Sequence, residues 1–254
     1  MKCVFFATAH NLVYIILIGI QGQILKVKHT ERDTMHFKLD AHIHTSETSI
    51  CAYSSGAEVA QCYHNLGYDA IVITDHLNNG FINRQKDSTH WASCVHSFLK
   101  GYRAAKAAGD KLGLTVIMGA ELRLQHSFSD FLIYGIDEDF LLKNPFLHRR
   151  TIEDFYAKFS DQILIIQAHP FRDGHTDVKP NFIHGIEITN GNPDHTNNNN
   201  LAQALFEKHP HMYTTKGSDT HNIAHAGYTH MLFKQPIPHA KALRQAILER
   251  AYSQ

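Results

Sequence analysis

From Phe37 onward, short apolar β-rich runs alternate with helical stretches, and most of the runs are closely followed by a histidine or an acid. The runs cover 37–43, 70–74, 115–119, 131–135, 162–167, 185–189 and 212–215. Between them, Ser55-Gly-Ala-Glu58 is a capping box that starts a helix, and Gly67 ends it. A second helix is expected from Ser88 to Gly109, and others over 151–159, 200–208 and 239–250. Such alternation calls for a parallel sheet with crossover helices. Seven strands suit either an open doubly wound sheet or a distorted barrel. Polar residues following nearly every strand favour the barrel, because an open sheet gathers them at one switch point.

Those polar residues form a pattern. His42 and His44 in Leu39-Asp-Ala-His-Ile-His-Thr45 sit two apart on a strand, so both face the same way, together with Asp40. Thr74-Asp-His76 follows a run with the composition of a buried strand. His76 reads as a ligand, and Asp75 as either a brace for a ligand imidazole or a turn cap. Glu121 ends an apolar run where an unpaired carboxylate is costly, which points to a cation or to Arg123. Asp130 is a weaker candidate of the same kind. His169 precedes Pro170, and Asp219 and His221 repeat the same-face spacing in Gly217-Ser-Asp-Thr-His221. Imidazoles with carboxylates suit Zn, Mn or Fe. The expected architecture is therefore α/β, a distorted (β/α)7 TIM-like barrel with a metal site at the carboxyl ends of its strands. Arg172 offers a planar fork matched to phosphate, or else a surface ion pair. Asn190 either bonds substrate or makes an Asn-Gly turn. His64, His126, His184, His195 and His230 are read as non-ligands.

Lys+Arg and Asp+Glu balance at 24 each, so no net field recruits long nucleic acid. Cys3, Cys51, Cys62 and Cys94 show no paired spacing, which fits a reducing, cytoplasmic setting without a zinc ribbon. Residues 1–35 read as an extension ahead of a 36–254 domain. The extension is a hairpin around Gly22, a start placed ahead of Met35, or an anchor in which only residues 3–20 touch a membrane.

The ordered set H-x-H, T-D-H, G-A-E, A-H-P and G-S-D-x-H, from Leu39 to His221, resembles the PHP (polymerase and histidinol phosphatase) superfamily of metal-dependent phosphoesterases. The resemblance implies a distorted seven-stranded barrel with two or three divalent ions. His42, His44, Glu121 and Asp219 would hold one ion, Glu121 with His169 a second, and His76 with His221 a third. Two departures stand out. Many members carry a histidine soon after H-x-H, where this chain offers Glu47, and many carry a histidine where Asp130 stands.

The expected function is hydrolysis of a phosphomonoester or phosphodiester, of a small molecule or nucleotide, by a metal-activated water. The competing readings are an amidohydrolase-like enzyme acting on C–N bonds, with Lys216 its nearest lysine, and a non-catalytic metal or phosphate binder.

Overall fold

Strand composition and spacing translate into two sheets in the computed structural model, which describes residues 6–9, 12–18, 24–26 and 37–253. The chain divides into two compact units, Met1–Thr34 and Met35–Gln254. The first contains β1 (Phe6–Ala9), β2 (Leu12–Ile18) and β3 (Ile24–Lys26), an antiparallel sheet in that order. Cys3, Gly22 and Met35 lie outside the described residues. No helix among the described residues is long and apolar enough to cross a membrane.

The second unit carries strands β4 (Phe37–Ile43), β5 (Ala70–Ile73), β6 (His76–Leu77), β7 (Thr115–Met118), β8 (Ala120–Arg123), β9 (Asp130–Tyr134), β10 (Leu164–Gln167), β11 (Gly185–Asn190), β12 (Tyr213–Gly217) and β13 (Met231–Phe233). Its helices are α1 (Gly56–Asn65), α2 (Asn79–Asn83), α3 (Trp91–Phe98), α4 (Lys100–Leu112), α5 (Glu138–Lys143), α6 (Ile152–Phe159), α7 (Asn199–Lys208) and α8 (Ala240–Leu248). One sheet runs β12-β11-β10-β9-β8-β6 and the other β13-β4-β5-β7. This is a mixed α/β fold with parallel runs in both sheets.

Alternation of side chains builds the layers. Ala70 and Val72 of β5, Leu132 and Tyr134 of β9, and Leu164 and Ile166 of β10 share one core with Leu39 and Ala41 of β4, so both sheets bury one face in it. The residues between them point outward: Ile71 and Ile73 pack under α1 and α4, while Phe131, Ile133 and Ile165 pack under α3 and α6. One parallel bridge, Ile43 to Thr220, brings the end of β4 beside the segment after β12.

Three expectations need correction. β9 runs antiparallel to both neighbours, because only residues 124–129 link it to β8, too few for a crossover. The expected helix over 88–109 is two helices broken at Leu99. Thr48 causes the break by donating to the Phe98 carbonyl at 2.9 Å and accepting the Gly101 N–H at 3.3 Å. Strands β6, β8 and β13 are additional to the expected seven; none exceeds four residues.

Candidate metal centre

The histidines and acids that follow the strands converge. The Nε2 atoms of His42 and His44 lie 3.1 Å apart, and Asp219 Oδ1 sits 3.3 Å from the first and 3.1 Å from the second. Parallel pairing of β6 with β8 puts His76 opposite Glu121, and His76 Nδ1 is 2.7 Å from Glu121 Oε2. The other Glu121 oxygen is 3.0 Å from His169 Nε2. Ligand atoms fall within 4.8 Å of one another in three groups: His42, His44 and Asp219; Glu121, Asp130 and His169; and His44, His76 and His221.

Several contacts set the imidazoles as lone-pair donors toward this centre. Ser49 Oγ gives its proton to Asp75 Oδ1 at 2.7 Å and so accepts from His44 Nδ1 at 3.3 Å, leaving His44 Nε2 without a proton. His221 Nδ1 donates to the Asp219 carbonyl at 3.0 Å, which frees its Nε2 in the same way. His42 Nδ1 donates to Glu187 Oε1 at 2.9 Å. A carboxylate behind a ligand imidazole fixes its tautomer and raises its basicity. Asp75 thus braces His44 through Ser49 while also accepting from Thr45 N and Oγ1. Asp40 lies apart, accepting from Ser218 N and Tyr63 Oη.

The electrostatics call for added positive charge. Burial alone would push His42 down, yet Asp219, Glu187 and Glu121 hold its pKa well above the usual imidazole value. His44 goes the other way, lowered by burial and by His221 and His76 beside it, and is a neutral donor. Glu121 Oε2 and Asp219 Oδ1 are buried without a partner in hydrogen-bond geometry, and what stands near them is imidazole nitrogen, at 2.7 Å and 3.1 Å. Orphaned carboxylate oxygens of this kind are costly unless a cation meets them. The donor set of imidazole nitrogen and carboxylate oxygen fits a divalent metal. Two of these residues also hold strained backbone: φ is 28° at His169 and 51° at Asp219.

Not every expected residue joins. Glu47 is exposed, and its carboxylate accepts the Gly56 N–H at 2.9 Å, where the amino end of α1 attracts negative charge. Asp130 lies in the cluster but is also forked by Arg123, whose Nε donates to it at 2.7 Å. Arg123 therefore pairs with Asp130 and not with Glu121. Asn190 is buried and does not line the cavity. It donates to Glu187 Oε2 at 2.8 Å and accepts from Arg172 and from Asn192 N, so it braces the site instead of facing a ligand. Among the described residues His64, His126, His184, His195 and His230 fall outside the three groups.

Beside the centre opens a cavity of about 330 Å³, lined by His76, His169, His221, Arg123, Arg172 and Cys51, with Phe128 82% exposed at its edge. Arg172 donates to Asp219 Oδ2 at 2.5 Å and, through Nε, to Asn197 at 3.0 Å. Burial pushes the Cys51 thiol up, but the imidazoles of His221 and His76 together pull it down to about 6. Glu187 and Ser49 are not among the expected site residues. The signal for Glu187 was a lone acid inside the apolar run Gly185-Ile-Glu-Ile; for Ser49 there was none.

A family model described as PHP domain matches residues 40–203. No curated protein matches the chain. Among solved structures, a two-domain protein from Bacteroides vulgatus, described as containing a predicted PHP-like metal-dependent phosphoesterase, superposes with a TM-score of 0.59 at 20% identity. That alignment covers 85% of this chain and 63% of the other, so the chain spans less than two thirds of that relative. PsfC from Pseudomonas syringae gives 0.53 at 18% identity, covering 78% and 82%. An amidohydrolase from Chromobacterium violaceum gives 0.50 at 15% identity, covering 85% and 97%. At these identities the likeness concerns the fold.

Proposed function

Because this chain belongs to the PHP domain family, we propose that it is a metal-dependent phosphoesterase that cleaves a phosphomonoester or phosphodiester. One observation carries the reading: two orphaned, buried carboxylate oxygens face a ring of imidazoles at the floor of an open cavity that also holds two arginines. His42, His44, Asp219, Glu121, His169, His76 and His221 would hold two or three ions, with Asp130 an added oxygen donor. Zinc, manganese or iron suits that set. Ions held there supply a water of lowered pKa and neutralise charge on phosphoryl oxygens.

The chain's own residues do the rest. Arg172, fixed by Asp219 and Asn197, stands at the cavity wall as a cation for the phosphoryl group. Arg123 stands on the same wall, partly neutralised by Asp130. Glu187 and Ser49 keep His42 and His44 aimed inward. In this reading residues 36–254 are the hydrolase domain, its two sheets the wall of a distorted barrel, and residues 1–35 an extension. Substrate is a phosphorylated small molecule or nucleotide. The C–N hydrolase alternative lacks its bridging lysine: Lys216 lies near His230 and does not line the cavity.

The test is protein stripped with chelator, reloaded with Mn or Zn, and assayed on a panel of phosphoesters and amides. Phosphate or nucleotide release that disappears in His42→Ala and Asp219→Ala, with circular dichroism unchanged, is the expected result. Turnover of amides alone would overturn the proposal.

A further inference from the structure

Asp173 and His195 stand outside the three ligand groups, yet both line the cavity beside His76, His169 and His221. Both are partly exposed, so a ligand in the cavity can reach them. Hydrogen bonds from His195 and from the Thr196 amide hold the Asp173 carboxyl below its usual range, as a carboxylate. His195 Nδ1 lies 2.9 Å from Asp173 Oδ2, and a carboxylate can only accept, so Nδ1 carries a proton. Nε2 makes no protein hydrogen bond among the described residues. The loop 191–198 stays in place without that ring. Asp173 N donates to Thr196 O at 2.9 Å, Arg172 Nε to Asn197 at 3.0 Å, and Asn198 Nδ2 to the Phe171 carbonyl at 2.8 Å. Asp173 reaches the loop with φ at 51°, which non-glycine residues rarely adopt. Its neighbour Arg172 reaches Asp219 Oδ2 in the centre. One bend thus supplies a guanidinium to the centre and a carboxylate-backed imidazole to the wall beside it.

We propose that His195 is the general acid that protonates the leaving oxygen of the phosphoester, with Asp173 as its positioning residue. The assignment rests on the phosphoesterase reading and adds to it the step that releases the alcohol. As a water oxygen bonds to phosphorus, the ester P–O bond breaks and its electron pair stays on the leaving oxygen. That oxygen takes the proton from Nε2 of the imidazolium. Asp173 keeps the remaining proton on Nδ1, so the neutral ring is left in a single tautomer. The proton shed by the attacking water restores the imidazolium through solvent. Esters of weakly acidic alcohols need such a donor most, because their leaving oxygen is the poorest carrier of negative charge.

The full chain, loaded with Mn or Zn, is assayed on phenyl, p-nitrophenyl and dinitrophenyl phosphate, whose phenols grow steadily more acidic. His195→Asn should lower kcat for phenyl phosphate by roughly 10²–10⁴-fold. The loss should shrink in order along the series, with metal content unchanged. Asp173→Asn should show the same gradient with a smaller loss, since its amide oxygen still accepts from Thr196 N and Asn tolerates the left-handed bend. An equal loss on all three esters, or none on any, overturns the assignment while leaving the phosphoesterase standing. Metal missing from His195→Asn overturns it too, because the ring would then be a ligand. Wild-type protein that retains metal but releases phosphate from none of the three overturns the phosphoesterase reading itself, and this assignment with it.

Discussion

His42 Nδ1 lies 2.9 Å from Glu187 Oε1, a contact between residues 145 positions apart with both side chains buried. The second Glu187 oxygen accepts the His169 N–H at 2.9 Å and the Asn190 amide at 2.8 Å. One carboxylate in the middle of β11 thus holds the first histidine motif, the turn after β10 and the asparagine that braces Arg172. It does not line the cavity. Its effect is to keep His42 Nε2 aimed at Asp219 and Glu121.

Glu187→Gln should therefore weaken metal binding without removing a ligand. Loss of the carboxylate behind a ligand imidazole lowers affinity by roughly 10–100-fold. Competition against a chromophoric chelator measures it, and an unchanged affinity would show that Glu187 does not set the His42 tautomer.

Metal should also stabilise the fold. Ions at a hundredfold excess over their Kd add about 2.7 kcal/mol, and at ~2–4 °C per kcal/mol for a chain of this size the melting temperature should rise by about 5–10 °C. The shift is read by thermal denaturation with and without chelator. In Asp219→Asn, which replaces the orphaned oxygen's carboxylate, the chelator-dependent shift should shrink to near zero.

Gly217 leaves no room for a side chain. A Cβ there would stand 2.2 Å from His42 Cβ and 2.8 Å from Glu187 Oε1. Gly217→Ala should cost about 1–3 kcal/mol by overpacking and displace His42, so metal content falls along with stability. Denaturant titration and metal analysis of the same sample check both. Full metal retention would mean that β4 and β12 part without disturbing the centre.

His148 gives the chain an acid-sensitive point away from the metal centre. Its ring lies 6.4 Å from that of Trp91 and 6.3 Å from that of Phe146, and neither of its nitrogens has a hydrogen-bond partner. Burial, with Arg149 adding to it, lowers its pKa from 6.5 to about 4. Because the folded value lies below the unfolded one, only the unfolded chain binds the proton in this window. Stability should fall as pH drops from 6.5 towards 4, by at most about 3 kcal/mol from this group. His148→Leu should lose less between pH 7 and pH 4.5 in urea titrations; equal losses in both proteins would contradict this account.

Much of the candidate site is legible in the sequence because most of its candidate ligands follow an apolar run, and a strand followed by His or Asp delivers that residue to one end of a sheet. His42, His44, His76, Glu121, His169, Asp219 and His221 gather for that reason. What escaped depends on partners remote in sequence. Glu47 is taken by the Gly56 amide, and nothing in its neighbours shows that α1 begins beside it. Asn190 turned inward because Glu187, Asp219 and Arg172 surround it. The reversal of β9 follows from a short loop and could have been inferred from the brief spacing between Glu121 and Asp130. The helix break at Leu99 could not, since Thr48 imposes it from across the fold.

The left-handed backbone at His169 and Asp219 has an evolutionary corollary. Non-glycine residues held there cost on the order of 1–3 kcal/mol each. A lineage released from binding ions would gain robustness by drifting to glycine at both places, more than at His42 or His44, whose strand geometry suits any residue. Persistence of His and Asp at those two bends in a sister protein would then mark a centre still under selection for use.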